Sequence, residues 1–433
     1  MAGPAFVLPA IANGIYRNGA GAVSMSLAGA EVGLENDPIA ALHGNPAALR
    51  SVSATTLQLG GVGGVANGDF ANAVNTNGKT SNTPGAIPEL GFAQPVADSP
   101  LTVGFAFIPD AALRANWRYV DAPGGLGGTT SYGSQPHESE ILLLRTAVGF
   151  GLSLSDRLAV GGSLGIVYNQ NALRAPYIFQ SHPVLKGFKT LLDLETSGVG
   201  FNGSMGVTYR PWERLTLSLS YQTETGVDTQ GSARGNAGAQ LASLGGAFAA
   251  VRPDFVYDAA VENRFPQTIS GGVSWQACAR LRLAAQVDWV NWGDAFKNLP
   301  ITLTGGNNAD LNAFLGSDTL RDTVPLNWRD RAVFRSGVEI RATDALTLRF
   351  GHSFGDNPVP ASTLTPLTAA IARHTASAGI EWRQKHISLA AAYQYDLPVT
   401  VNVGASSLAT GEYSNSRTSV AVHWLGLTAA YRF

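Results

Sequence analysis

Apolar and polar residues alternate with a period of two along much of this chain. In residues 215–222, leucines and a tyrosine alternate with threonine, serine and glutamine. The same alternation recurs in residues 158–169, 281–289, 346–354 and 387–396. Successive side chains of a β-strand point to opposite faces, so each stretch predicts a strand with one apolar face and one polar or small face.

The connections between these stretches are of two kinds. Tight turns lie near residues 97–99, 155–157, 211–214, 277–279, 342–344 and 383–385, and seven longer polar, glycine-rich segments lie between them. Short periplasmic turns that alternate with long outer loops are typical of barrels in the bacterial outer membrane. The sequence therefore predicts an all-β fold, a transmembrane antiparallel β-barrel of about 14 strands over residues 53–433.

The C-terminus supports this prediction. In residues 425–433, leucine, alanine, tyrosine and phenylalanine occupy one face of the period-two pattern, and Phe433 is the last residue. An apolar row that ends in an aromatic residue is expected where a lipid-facing strand closes a barrel. Several other stretches end in tyrosine or tryptophan, as an interfacial aromatic girdle requires.

The first fifty residues show no strand pattern. They are rich in glycine and alanine and include Asn36-Asp37-Pro38 and Asn45-Pro46-Ala47. An empty barrel of this size would enclose a water-filled channel. We therefore expect residues 1–52 to form a hatch, a small N-terminal domain packed inside the lumen.

Composition narrows the class of protein. Charged residues make up 14% of the chain and the formal net charge is −2. A soluble domain averages about 25% charged residues, and a nucleic-acid-binding protein usually carries a basic excess. We expect contact with outer-membrane lipid, no nucleic-acid partner, and a monomer in the outer membrane of a Gram-negative bacterium.

Three runs of residues resemble one known family. The first is the hatch segment, with residues 19–30, Glu35-Asn36-Asp37-Pro38 and Asn45-Pro46-Ala47-Ala48-Leu49. The others are residues 328–360, which include Trp328-Arg329-Asp330-Arg331, and Asp288-Trp289-Val290-Asn291-Trp292. Together these runs resemble the FadL/TodX family of outer-membrane transporters for hydrophobic compounds, and the similarity spans nearly the whole chain. In the triplet Asn45, Pro46 and Ala47, a structural role is favoured over ligand contact.

The resemblance implies a path for the ligand. A hydrophobic small molecule would enter from outside along a hydrophobic groove, reach an interior pocket, and leave sideways through the wall where the third strand is kinked. A kink is expected at Pro109 and Asp110, because proline lacks the N–H that a strand ladder needs. Gly104 and Ala106 are expected to place small side chains on the lumen face beside it.

The groove and the gate have candidate residues. The groove candidates are apolar residues of two long loops at near-helical spacing: Leu185, Phe188, Leu191, Leu192, Leu244 and Phe248. The resemblance also implies a gating role for N-terminal residues, here Phe6 and Leu8.

The resemblance leaves two ligand classes open, long-chain fatty acids and monoaromatic hydrocarbons. A fatty-acid carrier needs a basic residue in its pocket, because an unpaired buried carboxylate is costly. Fatty-acid members tend to place basic residues on the strand where this chain has Asn169-Gln170-Asn171, and Arg174 comes only after that run. Arg282 and Arg349 face the lumen by alternation, near the short turns, where we expect them to bond to the hatch.

Two other functions remain as alternatives, a general polar porin and a structural or adhesive barrel. The chain is not expected to be an enzyme: Ser353 and His352 are neighbours in a strand and so point to opposite faces. The sequence predicts no catalytic residue, no metal site and no cofactor.

Overall fold

The computed structural model describes residues 14–35, 37–81 and 84–433, and strands dominate it. The strand segments are β1 (Thr56–Ala71), β2 (Gly78–Lys79), β3 (Gly85–Pro95), β4 (Leu101–Val120), β5 (Ser134–Ser153), β6 (Leu158–Ile178), β7 (Lys189–Trp212), β8 (Leu215–Gln222), β9 (Thr225–Asn236), β10 (Asp254–Phe265), β11 (Thr268–Cys278), β12 (Leu281–Val290), β13 (Asn298–Thr304), β14 (Leu320–Pro325), β15 (Arg331–Arg341), β16 (Leu346–Gly355), β17 (His374–Gln384), β18 (Ile387–Asn402) and β19 (Arg417–Arg432).

Short helices account for most of the remaining regular structure. The α-helices are α1 (Gly21–Ser26), α2 (Pro38–Gly44), α3 (Gly238–Leu244), α4 (Trp292–Ala295) and α5 (Ala309–Leu315). The 3₁₀ helices span Pro46–Ser51, Gly246–Ala250, Ala361–Thr363, Pro366–Thr368 and Ala409–Gly411. Within the described ranges, no helix has the length and apolar character needed to cross a membrane.

The strand segments form one closed barrel. Five pairs are successive halves of a single barrel strand, namely β2 with β3, β8 with β9, β10 with β11, β12 with β13, and β14 with β15. The ladders are antiparallel, and β1 pairs with β19 from Thr56↔Arg432 to Ala71↔Arg417. The predicted fourteen-stranded antiparallel barrel is confirmed.

The two faces of the wall divide as the alternation predicts. Leu164 and Phe201 are each 72% exposed on the outer face, whereas Ser163 and Thr208 are buried toward the lumen. A lipid-facing barrel needs this arrangement, with apolar side chains outside. Exposed aromatic side chains also cluster near the short turns, including Trp212, Trp275, Trp382, Tyr431 and Phe433.

Several strands are longer than the sequence pattern predicts. The polar, glycine-rich composition predicts a loop over residues 170–198, but β6 continues to Ile178 and β7 begins at Lys189. A strand needs about 9–11 residues to cross a bilayer, whereas β7 has 24. The extra length extends past the membrane, where the alternation is reversed: Leu192 and Leu194 are buried inside, and Asp193 and Glu195 are exposed outside.

The described hatch residues, 14–35 and 37–52, pack inside the barrel and are bonded to several strands. From β15, Arg335 Nη1 donates to Asn18 Oδ1 at 2.7 Å and to the Ala28 carbonyl at 2.8 Å. From β12, Gln286 Oε1 accepts from the Glu31 and Val32 amides, both at 2.9 Å. These bonds satisfy hatch backbone groups that the barrel hides from water.

Candidate functional site

Asn45 joins the hatch to the barrel wall. Its side chain is fully buried, and its Nδ2 donates to the Val32 carbonyl at 3.1 Å and the Val207 carbonyl at 3.3 Å. Asn45 Oδ1 accepts from the Ala47 amide at 3.0 Å and so caps the 3₁₀ helix that begins at Pro46. The contacts place Asn45, Pro46 and Ala47 in a structural position.

Two wall glycines make room for this triplet. A Cβ on Gly206 of β7 would collide with Asn45 Oδ1, and one on Gly161 of β6 would collide with the Ala47 amide. Close approach of two backbones is a common reason for glycine in a strand.

The wall has a gap between β3 and β4. Their ladder runs from Pro95↔Thr102 to Leu90↔Phe107 and ends there, although β4 pairs with β5 along its whole length. The remaining residues of β3, Gly85–Glu89, pair with β1. In the described residues, no ladder joins β3 to the stretch of β4 that begins at Ile108.

The gap begins where β4 changes register. The pairing with β5 shifts between Pro109 and Ala111, so that Asp110 is an additional residue. Residues 108–113 are all buried, although the residues of a barrel strand normally alternate between exposed and buried. A bulge bends its strand, and proline withholds a ladder donor, so both features turn β4 away from β3.

The gap lies at the outer edge of the lipid-facing band. Pro109 is opposite Leu144 on β5, and Leu144 is opposite Tyr168 on β6. Tyr168 follows the exposed Leu164 and Ile166 on the outer face. Tyrosine is enriched at the interface of the membrane with water, and this register connects Pro109 to Tyr168 through Leu144.

Charged residues surround the gap on its lumen side. Arg145 of β5 is fully buried, and its Nε lies 2.8 Å from Asp110 Oδ2. Arg17 of the hatch pairs with Glu89 of β3 at 2.7 Å and donates to the Pro109 carbonyl at 3.0 Å. Both edges of the gap are therefore bonded to charged side chains inside the barrel.

A segment of the hatch, Ile15–Arg17, covers the gap from inside. The Ala112 amide donates to the Ile15 carbonyl at 3.2 Å, and the Arg17 amide donates to the Asp110 carbonyl at 3.3 Å. These bonds occupy backbone groups of β4 that a barrel neighbour would normally pair. Tyr16, between them, places its ring centroid 5.2 Å from that of Trp292.

Gly104 and Ala106 lie before the kink and face the hatch. A Cβ on Gly104 would sit 3.0 Å from Leu49 Cδ2, and Ala106 is fully buried in a cluster with Leu49 and Ile108. Their small size therefore accommodates the hatch beside the gap.

Two cavities lie above the hatch. The outer cavity has an empty volume of about 1070 Å³ and is lined mainly by apolar side chains. Glu140 and Glu412 are charged members of its lining, and no lysine or arginine is among the described residues that line it.

The inner cavity has an empty volume of about 470 Å³ and adjoins the outer one. The two share the lining residues Ile141, Asn263, Leu299, Leu326 and Thr368. Phe296 and Trp328 line the inner cavity with ring centroids 4.7 Å apart, and Trp292 packs 5.0 Å from each. Tyr16 contacts the far side of this aromatic cluster, so one apolar region connects the cavities to the segment that covers the gap.

Most groove candidates fall in one apolar cluster beneath the outer loops. Leu185, Phe188 and Leu192 are buried in it, and Phe248 packs against it. Leu191 and Leu244 do not belong to the described cluster. Leu191 lies in β7, because this strand starts earlier than the near-helical spacing suggested, and Leu244 is 37% exposed at the end of α3.

Arg174, Arg282 and Arg349 line neither of the two cavities. Phe6 and Leu8 are outside the described residues. Arg174 is exposed on β6. We expected Arg282 and Arg349 to bond to the hatch, but among the described residues both arginines pair with Glu339 of the neighbouring strand, at 3.0 and 2.6 Å.

Sequence reasoning missed Glu89, Arg145 and Arg17. A signal existed for two of them: Glu89 follows Ile87-Pro88, and Arg145 interrupts the apolar run Ile141-Leu142-Leu143-Leu144. A charge within an apolar strand marks a buried partner. The partner itself comes from a distant part of the chain and could not be read from spacing.

Comparison with known proteins gives a consistent assignment. The profile of a family described as outer membrane protein transport protein (OMPP1/FadL/TodX) matches residues 7–433. Among curated protein sequences, no significant match is found.

Solved structures resemble the fold. The Pseudomonas putida toluene transporter TodX has a TM-score of 0.76 at 19% identity, over 96% of this chain and 99% of that one. The Ralstonia pickettii toluene transporter TbuX has a TM-score of 0.74 at 18% identity, over 96% and 99%. A Pseudomonas aeruginosa FadL homologue has a TM-score of 0.73 at 16% identity, over 99% of both chains.

Proposed function

Since this chain belongs to the OMPP1/FadL/TodX family of outer membrane transport proteins, we propose that it is a passive channel for hydrophobic small molecules. It resides in the outer membrane of a Gram-negative bacterium as a monomer. The observation that carries this proposal is the connection of an apolar cavity to a gap in a closed barrel wall. The ligand moves inward without coupling to an energy source.

The path follows apolar surface from the outer loops to the lipid. The ligand first meets the cluster around Phe188 and Phe248, which shares Leu194 and Ile301 with the outer cavity. It then passes into the inner cavity and reaches the aromatic cluster beside Tyr16. Displacement of Ile15–Arg17 opens the gap between β3 and β4, and the ligand leaves sideways.

Sideways release has a physical advantage. An apolar ligand gains about 25 cal/mol for each Å² that stays out of water. A gap that faces the outer leaflet lets the ligand pass from cavity to lipid without rehydration. A water-filled pore would provide no such path.

The chemistry of the outer cavity favours an uncharged ligand such as a monoaromatic hydrocarbon. A fatty-acid carboxylate would be buried near Glu140 and Glu412, with no lysine or arginine among the described residues that line the outer cavity. A charge in that position is costly unless it is paired. A long-chain fatty acid is therefore the second candidate.

A general polar porin and an adhesive barrel are the alternative functions. A porin lumen holds open water, whereas here Leu27, Ile39 and Met25 of the hatch are among the largest fully buried side chains. An adhesin would need no gap in its wall and no apolar cavity.

The first experiment is a binding titration followed by tryptophan fluorescence in detergent, since Trp328 lines the inner cavity. Toluene and palmitate are titrated in parallel. Saturable quenching by toluene supports the proposal. Saturable quenching by palmitate alone would show that the ligand of the channel is a fatty acid. Large, steady ion conductance in planar bilayers, with no saturable binding of either compound, would instead support the porin.

A further inference from the structure

Asn263 occupies the junction of the two cavities. It lies near the end of β10, is 6% exposed, and lines both the outer and the inner cavity. Its neighbours among the shared lining residues are apolar except for Thr368. A ligand that moves from one cavity to the other therefore passes this side chain.

The orientation of the Asn263 amide is fixed by its partners. Its Nδ2 donates to the Val261 carbonyl at 3.1 Å and the Val227 carbonyl at 3.4 Å. A carbonyl can only accept, so the nitrogen must face these two oxygens and Oδ1 must point away from them. No described residue donates to Asn263 Oδ1, and this oxygen is not among the fully enclosed polar atoms that lack partners. The cavity therefore meets a hydrogen-bond acceptor here.

Three hydroxyls of the outer-cavity lining already donate their hydrogens within the protein. The Ser139 hydroxyl donates to the Leu367 carbonyl and the Thr363 hydroxyl to the Leu326 carbonyl, both at 2.6 Å. The Tyr177 hydroxyl donates to Asp322 Oδ2 at 2.5 Å. These three hydroxyls can offer a ligand only lone pairs, and Glu140 and Glu412 add carboxylates to the same wall.

From this arrangement we propose that the junction is a specificity site for neutral hydrophobic compounds that carry one O–H or N–H donor. Phenols and aromatic alcohols are the simplest members of this class. The donor bonds to Asn263 Oδ1 while the hydrocarbon part lies against Ile141, Leu299 and Leu326. The inference rests on the proposed channel function and identifies the ligand class of its cavity.

The test compares three ligands of similar size: 4-methylphenol, 4-methylanisole and 4-methylbenzoate. The phenol can donate a hydrogen bond, the ether can only accept one, and the benzoate is an anion. We expect the wild-type protein to bind the phenol about fivefold more tightly than the ether, as one additional hydrogen bond predicts. The benzoate should bind more weakly than either.

The variant Asn263→Leu removes the acceptor at similar side-chain volume. We expect it to lose the preference for the phenol and to keep its affinity for the ether. The matched control is Asn202→Leu, because Asn202 is also buried in a barrel strand but lines neither cavity. This control should keep the wild-type preference.

The outcomes separate the two proposals. Equal binding of phenol and ether by the wild-type protein, or an unchanged preference in Asn263→Leu, overturns the specificity site while the channel stands. If none of the three ligands nor toluene binds saturably, the channel function itself fails. The comparison of ligands on the wild-type protein decides the matter even if Asn263→Leu does not fold.

Discussion

Asp110, the additional residue in the third barrel strand, forms an ion pair at 2.8 Å with Arg145, a fully buried arginine of the fourth strand. Arg145 also donates to the Leu42 carbonyl of the hatch at 3.0 Å. One guanidinium thus bonds the bulge and the hatch together at the level of the wall gap. The gap is therefore stabilised by specific bonds and is not only a place where strand pairing is absent.

Removal of one member of this pair should destabilise the barrel strongly. Arg145→Leu leaves the Asp110 carboxylate buried without its charged partner, at a cost of about 3–5 kcal/mol. Urea unfolding in lipid vesicles measures the loss. The double variant Asp110→Leu/Arg145→Leu leaves no unpaired charge and should lie closer to the wild-type stability, and a double variant as unstable as the single one would contradict the account.

Deletion of Asp110 should close the gap. Without the additional residue, β4 can keep one register with β5 and remain straight beside β3. We expect deletion of Asp110 combined with Arg145→Leu to lower hydrocarbon uptake at least tenfold in cells that lack another channel. The control is Asp110→Leu/Arg145→Leu, which removes the same charges but keeps the additional residue and so the bulge, and it should keep most uptake. Loss of heat-modifiable gel mobility would reveal misfolding in either variant.

A disulfide should lock the segment that covers the gap. Tyr16 and Ala111 form an antiparallel bridge, and directly opposed residues have Cα atoms about 4.5–5.5 Å apart, within disulfide range. In a Cys278→Ser background, Tyr16→Cys/Ala111→Cys should transport normally when reduced and lose uptake when oxidised. Each single cysteine variant serves as a control without a lock. Full uptake by the oxidised double variant would falsify release through this gap.

One methyl group on the wall should loosen the hatch. Gly206→Ala places a Cβ against Asn45 Oδ1, whereas a Cβ on Gly203 of the same strand would have its nearest neighbour at 3.5 Å. We expect Gly206→Ala to increase ion leakage through single channels in planar bilayers and Gly203→Ala to leave it unchanged. Equal leakage in both variants would show that the contact of Asn45 with the wall does not limit ion leakage.

The stability of the outer loop at residues 403–416 should depend on pH through Glu412. Its carboxylate lies 3.9 Å from Lys189 Nζ, which pairs with Asp121 at 2.5 Å. Burial raises the pKa of Glu412 to about 7, although Lys189 opposes the shift, while Asp121 adds to it. When the loop is unfolded, the pKa of Glu412 is about 4.3. Between pH values of about 4.3 and about 7, Glu412 is therefore protonated in the folded loop and ionised in the unfolded loop.

The folded loop therefore loses stability as the pH rises from about 4.3 to about 7, and its stability changes little above that range. Hydrogen exchange of residues 403–416, corrected for intrinsic rates, should be more protected at pH 5 than at pH 8. Glu412→Gln should reduce this difference, because the amide does not titrate. Burial also raises the pKa of Asp121, so a smaller dependence of the same sign should remain.

The sequence predicted the barrel well because each wall residue has a local signature. Leu217 and Leu219 face lipid, and Thr216 and Ser218 face the lumen. That alternation can be recognised in the sequence without knowing which residues pack against the strand. The first fifty residues lack the period-two pattern, and the prediction of a hatch over residues 1–52 rests on that difference. Pro109 was visible as a break, because proline lacks an amide hydrogen whatever surrounds it.

The parts that depend on distant partners could not be predicted. Asn263 is one polar residue in an alternating strand, and only the carbonyls of Val227 and Val261 show which way its oxygen points. The covering segment is equally hidden, because nothing in Ile15–Arg17 indicates that it bonds to Asp110 and Ala112. For Leu191, the near-helical spacing is misleading because β7 begins at Lys189.

The attachment of Ile15–Arg17 to the rest of the chain has a kinetic consequence. Because the segment is tethered, it returns to β4 in a unimolecular step whose rate is independent of ligand concentration. If ligand leaves by the gap, the number of molecules that one channel releases per second is capped by how often the two backbone hydrogen bonds to β4 break. Flux through this unpowered protein should then reach a plateau as the external concentration rises, as the turnover of an enzyme does.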